Sequence, residues 1–187
     1  MATARKVLAV IDRPALIPCS DDIPGNPADA ERMTDVLFVC LGNICRSPLM
    51  EGIARSRWQE QAAALPMSFD SAGIGGWHAG APPDARAVAT ARRHGIDISA
   101  QRARRFVATD FQRFDLILCA DRSNLEVLQQ RRPKNSRAEC ALFLDWSGAR
   151  QDGEVPDPYT GDERAFESVY TLIDLAATGM FQRLQRL

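Results

Sequence analysis

A single α/β domain, a four-stranded parallel sheet flanked by helices on both faces, is the fold this chain predicts. Three observations lead to it. Short apolar runs alternate with longer helical stretches, the pattern of βαβ units that build a parallel sheet. At 187 residues the chain is long enough for one well-buried core and too short for two comfortable domains. Residues 36–48, VLFVCLGNICRSP, run from an apolar strand through a short loop to a proline suited to a first helical turn.

The elements follow in order. Apolar runs predict strands at residues 35–40, 67–72, 115–120 and 140–144. Between and after them, helices are predicted at 48–61, 82–94, 109–113, 122–131 and 162–186. Asp121 stands where it could N-cap the fourth of these helices. In the last, Phe166, Val169, Tyr170, Ile173, Leu175 and Ala177 recur at near-helical spacing, which assigns them to the core. In such a sheet a ligand site is expected beyond the carboxyl ends of the strands, and Cys40 lies at such an end.

Residues 1–34 differ from the rest. Pro14, Pro18, Pro24 and Pro27 are interspersed with Asp21, Asp22, Asp29 and Glu31 without a sustained period, so this segment reads as a flexible leader before a domain at 35–187. Translation from Met33 is the other reading. The acidic residues argue against an organelle transit peptide, and the apolar run Val7 to Ile11, cut by Asp12, is too short for a signal core or a bilayer span.

Composition narrows the function. A hydrophobic content of 45% and a net charge of −1 are those of a soluble globular protein, and nothing suggests a nucleic-acid or membrane partner. Basic clusters at Arg102, Arg104 and Arg105 and at Arg131, Arg132, Lys134 and Arg137 read as solvated faces, with a docking patch for an acidic partner as the alternative. The cysteines, at 19, 40, 45, 119 and 140, are odd in number and follow no secretory signal, which points to reducing cytoplasm. His78 and His94 form no ligand spacing with them, so neither a metal nor a cofactor is expected.

The chemistry concentrates at residues 40–48. Backbone N–H groups of a loop wrapped between strand and helix N-terminus converge on an anion, and the Arg46 guanidinium adds a planar fork matched to phosphate oxygens. A helix N-terminus with a cation beside it favours an ionised thiol, so Cys40 is expected as a thiolate nucleophile beneath the bound anion; a buried structural thiol is the alternative. Gly42 fits the tight loop, and Asn43 suits a left-handed backbone position.

With Ser47 after the arginine, this loop resembles the signature of the low-molecular-weight protein tyrosine phosphatases, Cys-x5-Arg-Ser at the end of a first strand. The resemblance continues through Ser71-Ala72-Gly73, Trp77-His78, residues 80–87 (GAPPDARA), residues 120–125 (ADRSNL) and Pro156-Asp157-Pro158-Tyr159, in the family's order and at about its spacing. It covers residues 35 to about 180 and implies the phosphotyrosine phosphatase I-like fold.

The resemblance also implies an activity: hydrolysis of phosphotyrosine monoesters through a phosphocysteine on Cys40. Leu41, Gly42, Asn43, Ile44, Cys45 and Ser47 would then form the phosphate-binding loop with Arg46, and Asp157 would be the general acid. Asp157 stands on a stiff Pro-Asp-Pro loop, where an ordinary turn aspartate is the plain reading. Near a thiolate and a phosphate its charged form is disfavoured, which keeps a proton for the leaving group. Ser47 would hydrogen-bond the sulfur, and Ser71, otherwise a strand-end hydroxyl, would brace Asn43. Asp121 could orient Arg46 or the acid loop as well as cap a helix. Trp77 and Tyr159 are candidate walls for an aromatic ring, with core packing the alternative for Trp77. Cys45 could trap an oxidised Cys40 as a disulfide or simply pack.

Two positions depart from the family: Gln101 stands where a histidine of the supporting network is common, and Thr160 replaces a second tyrosine. Relatives on this scaffold dephosphorylate arginine, with threonine preferred where Ile44 stands, or reduce arsenate by a relay for which Cys119 and Cys140 look too far apart in sequence. A non-catalytic phosphopeptide-binding module is the remaining alternative, and it would be expected to lack the nucleophile or the acid. A phosphotyrosine protein substrate and a monomeric or weakly dimeric state are expected.

Overall fold

The structure, a computed structural model, describes residues 34–60 and 66–186. The expected leader and the Met33 start fall outside these residues, except that Thr34 already belongs to the first strand. The strands are β1 (Thr34–Cys40), β2 (Met67–Gly73), β3 (Leu116–Cys119) and β4 (Glu139–Leu142), and they form one parallel sheet in the order β2-β1-β3-β4. Helices are α1 (Arg46–Glu60), α2 (Ala85–Arg93), α3 (Asp110–Arg113), α4 (Arg122–Arg131), α5 (Phe143–Trp146) and α6 (Glu163–Leu184).

β1 is apolar throughout its second half because both of its faces are covered. Val36, Phe38 and Cys40 join Leu116 and Leu118 in a layer packed with residues of α1, α2, α5 and α6. Leu37, Val39, Ile117 and Cys119 face the other way, onto Phe106, Phe111, Phe114 and Leu128. α1 packs against β1, β2 and α6, which fixes the axis of the helix that follows the cysteine loop. β1 is also where the strand order reverses, since β2 lies on one side of it and β3 on the other. The crevice beyond its carboxyl end is the expected ligand site of an open α/β sheet.

Three local expectations are corrected. The run 140–144 is not one strand: β4 ends at Leu142 and the chain turns into α5, which buries Phe143, Leu144 and Trp146. Leu175 is 60% exposed, whereas its neighbour Ala176 is buried, so the apolar face of α6 runs through Phe166, Val169, Tyr170, Ile173, Ala176, Ala177 and Met180. Arg104, assigned to a solvated face, is half-buried and ion-paired to both Asp70 and Asp110. Among the described residues no helix is long and apolar enough to cross a membrane.

Candidate active site

The site is built on the turn from β1 to α1. Cys40, 3% exposed, ends the strand, residues 41–45 curl over it, and Arg46 opens the helix. Asn43 takes the left-handed conformation, with φ 56°, and turns its backbone N–H onto the sulfur at 3.3 Å. Ser47 Oγ lies 3.0 Å from the same sulfur. The loop is strapped on two sides. Beyond β2, Ile74 and Gly75 donate their N–H groups to the carbonyls of Cys40 and Leu41, both at 2.9 Å. This approach favours Gly73, since a Cβ there would lie 3.0 Å from the carbonyl carbon of Gly42 and crowd the loop backbone. On the other side Asp84 donates its N–H to the Ile44 carbonyl at 2.8 Å.

Asn43 is also the hub of a buried network. Its Nδ2 donates to Ser47 Oγ and Ser71 Oγ, both at 2.9 Å, and its Oδ1 accepts from the Arg104 backbone N–H at 2.8 Å. Ser71 in turn donates to Glu51 at 2.6 Å, and Arg55 pairs with the other Glu51 oxygen at 2.6 Å. Burial nonetheless holds the Glu51 carboxyl above its ordinary range, against the lowering by Ser71 and Arg55.

Arg46 is buried, and carboxylates from two distant segments hold it. Nη1 donates to Asp121 Oδ2 at 2.6 Å and Nη2 to Asp157 Oδ2 at 2.8 Å, with the Val155 carbonyl 3.3 Å from Nη1. Burial lowers its pKa, but the net shift is upward because Cys40, Asp157 and Asp121 surround it with negative charge. Asp121 uses both of its oxygens: Oδ2 takes Arg46, and Oδ1 caps α4 by accepting the Asn124 N–H at 2.8 Å. Burial opposes its charge, yet the Ser123 hydroxyl, the Asn124 N–H and Arg46 hold its carboxyl below the usual range. Asp157 reaches the site because Val155 donates to the Ala120 carbonyl at 2.8 Å, which lays the loop along the end of β3.

A cavity of about 220 Å³ opens above the loop. Cys40, Leu41, Gly42, Ile44, Cys45 and Arg46 line its base, and Trp77, His78, Asp157 and Tyr159 its walls. Trp77 is 67% exposed and Tyr159 52%, so neither ring is core. Cys45 is a buried free thiol whose pKa is pushed up to about 12, chiefly by burial and then by nearby Asp84 and Cys40. Cys119 and Cys140 lie on neighbouring strands, so their separation in sequence does not keep them apart; neither lines the cavity, and burial raises both thiols.

Residues 35–187 match the family model described as low molecular weight phosphotyrosine protein phosphatase. The chain belongs to that family. It is 42% identical over 144 residues to the low molecular weight phosphotyrosine protein phosphatase of Sus scrofa, covering 75% of this chain and 90% of that one. A crystal structure of a protein tyrosine phosphatase from Entamoeba histolytica, with Hepes in its active site, superposes with a TM-score of 0.77 at 31% identity, covering 82% of this chain and 97% of that one. A Drosophila arginine phosphatase does so with a TM-score of 0.75 at 29% identity, covering 80% and 97%.

For this low molecular weight phosphatase the structure also shows what the sequence left unread. Gln101 does not brace the loop: both atoms of its side-chain amide are buried without a hydrogen-bond partner among the described residues. Glu51 and Arg86 hold supports of the site, His78 lines it, and Arg104, whose basic cluster suggests a solvated face, donates its backbone N–H to Asn43. Glu51 carried one signal, a carboxylate one helical turn beyond Ser47 on an otherwise apolar stretch of α1.

Proposed function

We propose that this phosphatase hydrolyses phosphotyrosine monoesters through a phosphocysteine, with Cys40 as nucleophile, Arg46 as the phosphate clamp and Asp157 as acid and then base. The observation that carries the reading is the convergence of the three groups on one small cavity whose walls include two aromatic rings. A phosphate dianion seated over Cys40 competes for the Arg46 Nη2 donor that bonds Asp157. Released from that bond, the Asp157 carboxyl stands where it can hand a proton to the leaving oxygen.

In the first step the Cys40 sulfur forms a bond to phosphorus, the P–O bond to the ring breaks, and the Asp157 proton passes to the departing phenolate. Arg46 and the loop N–H groups balance the charge on the equatorial oxygens. In the second, Asp157 takes a proton from water as its oxygen attacks phosphorus, the S–P bond breaks, and the sulfur leaves as a thiolate bonded by Ser47 and the Asn43 N–H.

Ile44 and the two rings favour a flat aryl ester over phosphoarginine. An arsenate relay finds no support, since neither Cys119 nor Cys140 reaches the cavity. The test is turnover of p-nitrophenyl phosphate with acid quenching of a labelled substrate. An acid-stable thiophosphate adduct on Cys40 is expected, with no turnover but retained phosphate binding in Cys40→Ser. A normal rate in that variant refutes the mechanism, and faster hydrolysis of a phosphoarginine peptide than of its phosphotyrosine counterpart refutes the substrate class.

A further inference from the structure

Arg86 lies outside the cavity lining, yet it makes an unusual set of contacts. It sits in the first turn of α2, whose N-cap is Asp84. Nε donates to Asp84 Oδ1 at 3.0 Å and Nη2 to Asp84 Oδ2 at 2.9 Å, a two-point pair. The remaining donors leave the helix. Nη1 bonds the Gly161 carbonyl at 2.9 Å and Nη2 the Tyr159 carbonyl at 3.0 Å, and the guanidinium lies 4.6 Å from the Phe166 ring centroid. These carbonyls belong to the segment that follows Asp157, and the Tyr159 N–H donates to Asp157 Oδ1 at 3.1 Å. At the other end Asp84 donates its backbone N–H to Ile44, inside the phosphate loop.

A continuous chain of bonds therefore runs from the loop over the sulfur, through Asp84 and Arg86, to the segment that carries the acid. We propose that Arg86 and Asp84 are a positioning pair that sets the register of Asp157 and the Tyr159 wall against Cys40; this rests on Asp157 being the acid. The pair stands on a firm base, because Ala87, Thr90 and Ala91 bury α2 against its neighbours. A surface ion pair alone contributes little. Here the guanidinium spans three partners at fixed angles, which its rigid fork permits and a lysine's single ammonium does not.

The test compares kcat/KM for phenyl phosphate, whose leaving group needs a proton, with 2,4-dinitrophenyl phosphate, whose leaving group does not. Arg86→Met is expected to lose about 10- to 100-fold on phenyl phosphate, the cost of a misplaced group, and less than about threefold on the dinitrophenyl ester. Inhibition by inorganic phosphate should stay unchanged, since Arg46 and the loop amides are untouched. Arg86→Lys should recover part of the loss. Asp84→Asn keeps the N-cap acceptor and the bond to Ile44, so it folds as the parent does and should show the same selectivity at smaller amplitude. Equal losses on both esters, no loss in either variant, or full recovery in Arg86→Lys overturns the proposal. Asp157→Asn run alongside separates the two readings. If it discriminates between the esters and Arg86→Met does not, the positioning pair is wrong and the acid stands; if it does not discriminate, the acid assignment falls and the pair with it.

Discussion

Replacing Asn43 by alanine should be among the most damaging single changes in this protein that leave the nucleophile in place. The side chain makes three hydrogen bonds, two of them buried, to Ser47 and Ser71, and one half-buried, from the Arg104 N–H. At a net value of about 1 kcal/mol each, their loss amounts to roughly 3 kcal/mol. Alanine at φ 56° adds about 1 kcal/mol of backbone strain that asparagine tolerates better. Ser47 and Ser71 keep other partners, Cys40 and Glu51, but the Arg104 N–H loses its acceptor. The expected loss is therefore about 3–5 kcal/mol, a large part of the roughly 5–15 kcal/mol that a domain possesses. In urea, with a slope near 2 kcal/mol per molar, the midpoint should fall by about 2 M. Asn43→Gly relieves the strain but not the lost bonds, so it should come out close to alanine or slightly milder. Equilibrium unfolding followed by circular dichroism reads these shifts. A loss below about 1 kcal/mol in Asn43→Ala would refute the account of Asn43 as the hub.

The remaining predictions concern charge and an unpartnered amide. Asp121 titrates lower in the folded chain than in the unfolded one, so its contribution is present above the usual carboxylate pKa, about 3.9, and is lost as pH falls through the depressed folded value. Asp121→Asn should be less stable than the parent at neutral pH but lose less on acidification; curves of unfolding free energy against pH that run parallel below about pH 4 would contradict this. Gln101→Leu removes a buried amide that has no partner among the described residues and should be neutral or up to about 2 kcal/mol more stable in thermal unfolding. Destabilisation beyond about 1 kcal/mol would mean that the amide is bonded after all.

The parallel sheet and most helices were legible because their apolar residues repeat with clear periods and are punctuated by recognisable caps. α5 was not, because the run Ala141 to Leu144 is apolar on all sides, and periodicity alone does not separate a buried strand from a buried helical turn. Leu175 misled for the opposite reason: near-helical spacing admits either of two adjacent positions, and packing chose Ala176. At the site, the cysteine loop could be read because its chemistry is local in sequence. Asp121 appeared ambiguous between two roles because a carboxylate has two oxygens, and the structure uses one for each. The roles of Arg86 and Arg104 were not legible, since an arginine's place in the sequence does not tell solvent from a distant carbonyl or carboxylate as its partner.

Arg46 is held by residues 75, 109 and 111 positions further along the chain. Contacts of such long range close only after the chain between them has been ordered, and topologies rich in them fold slowly. Helical signal should thus return early when the denatured protein is diluted into buffer, whereas catalytic competence should return with the last kinetic phase. Turnover of a chromogenic ester then serves as a clock for completion of the native topology.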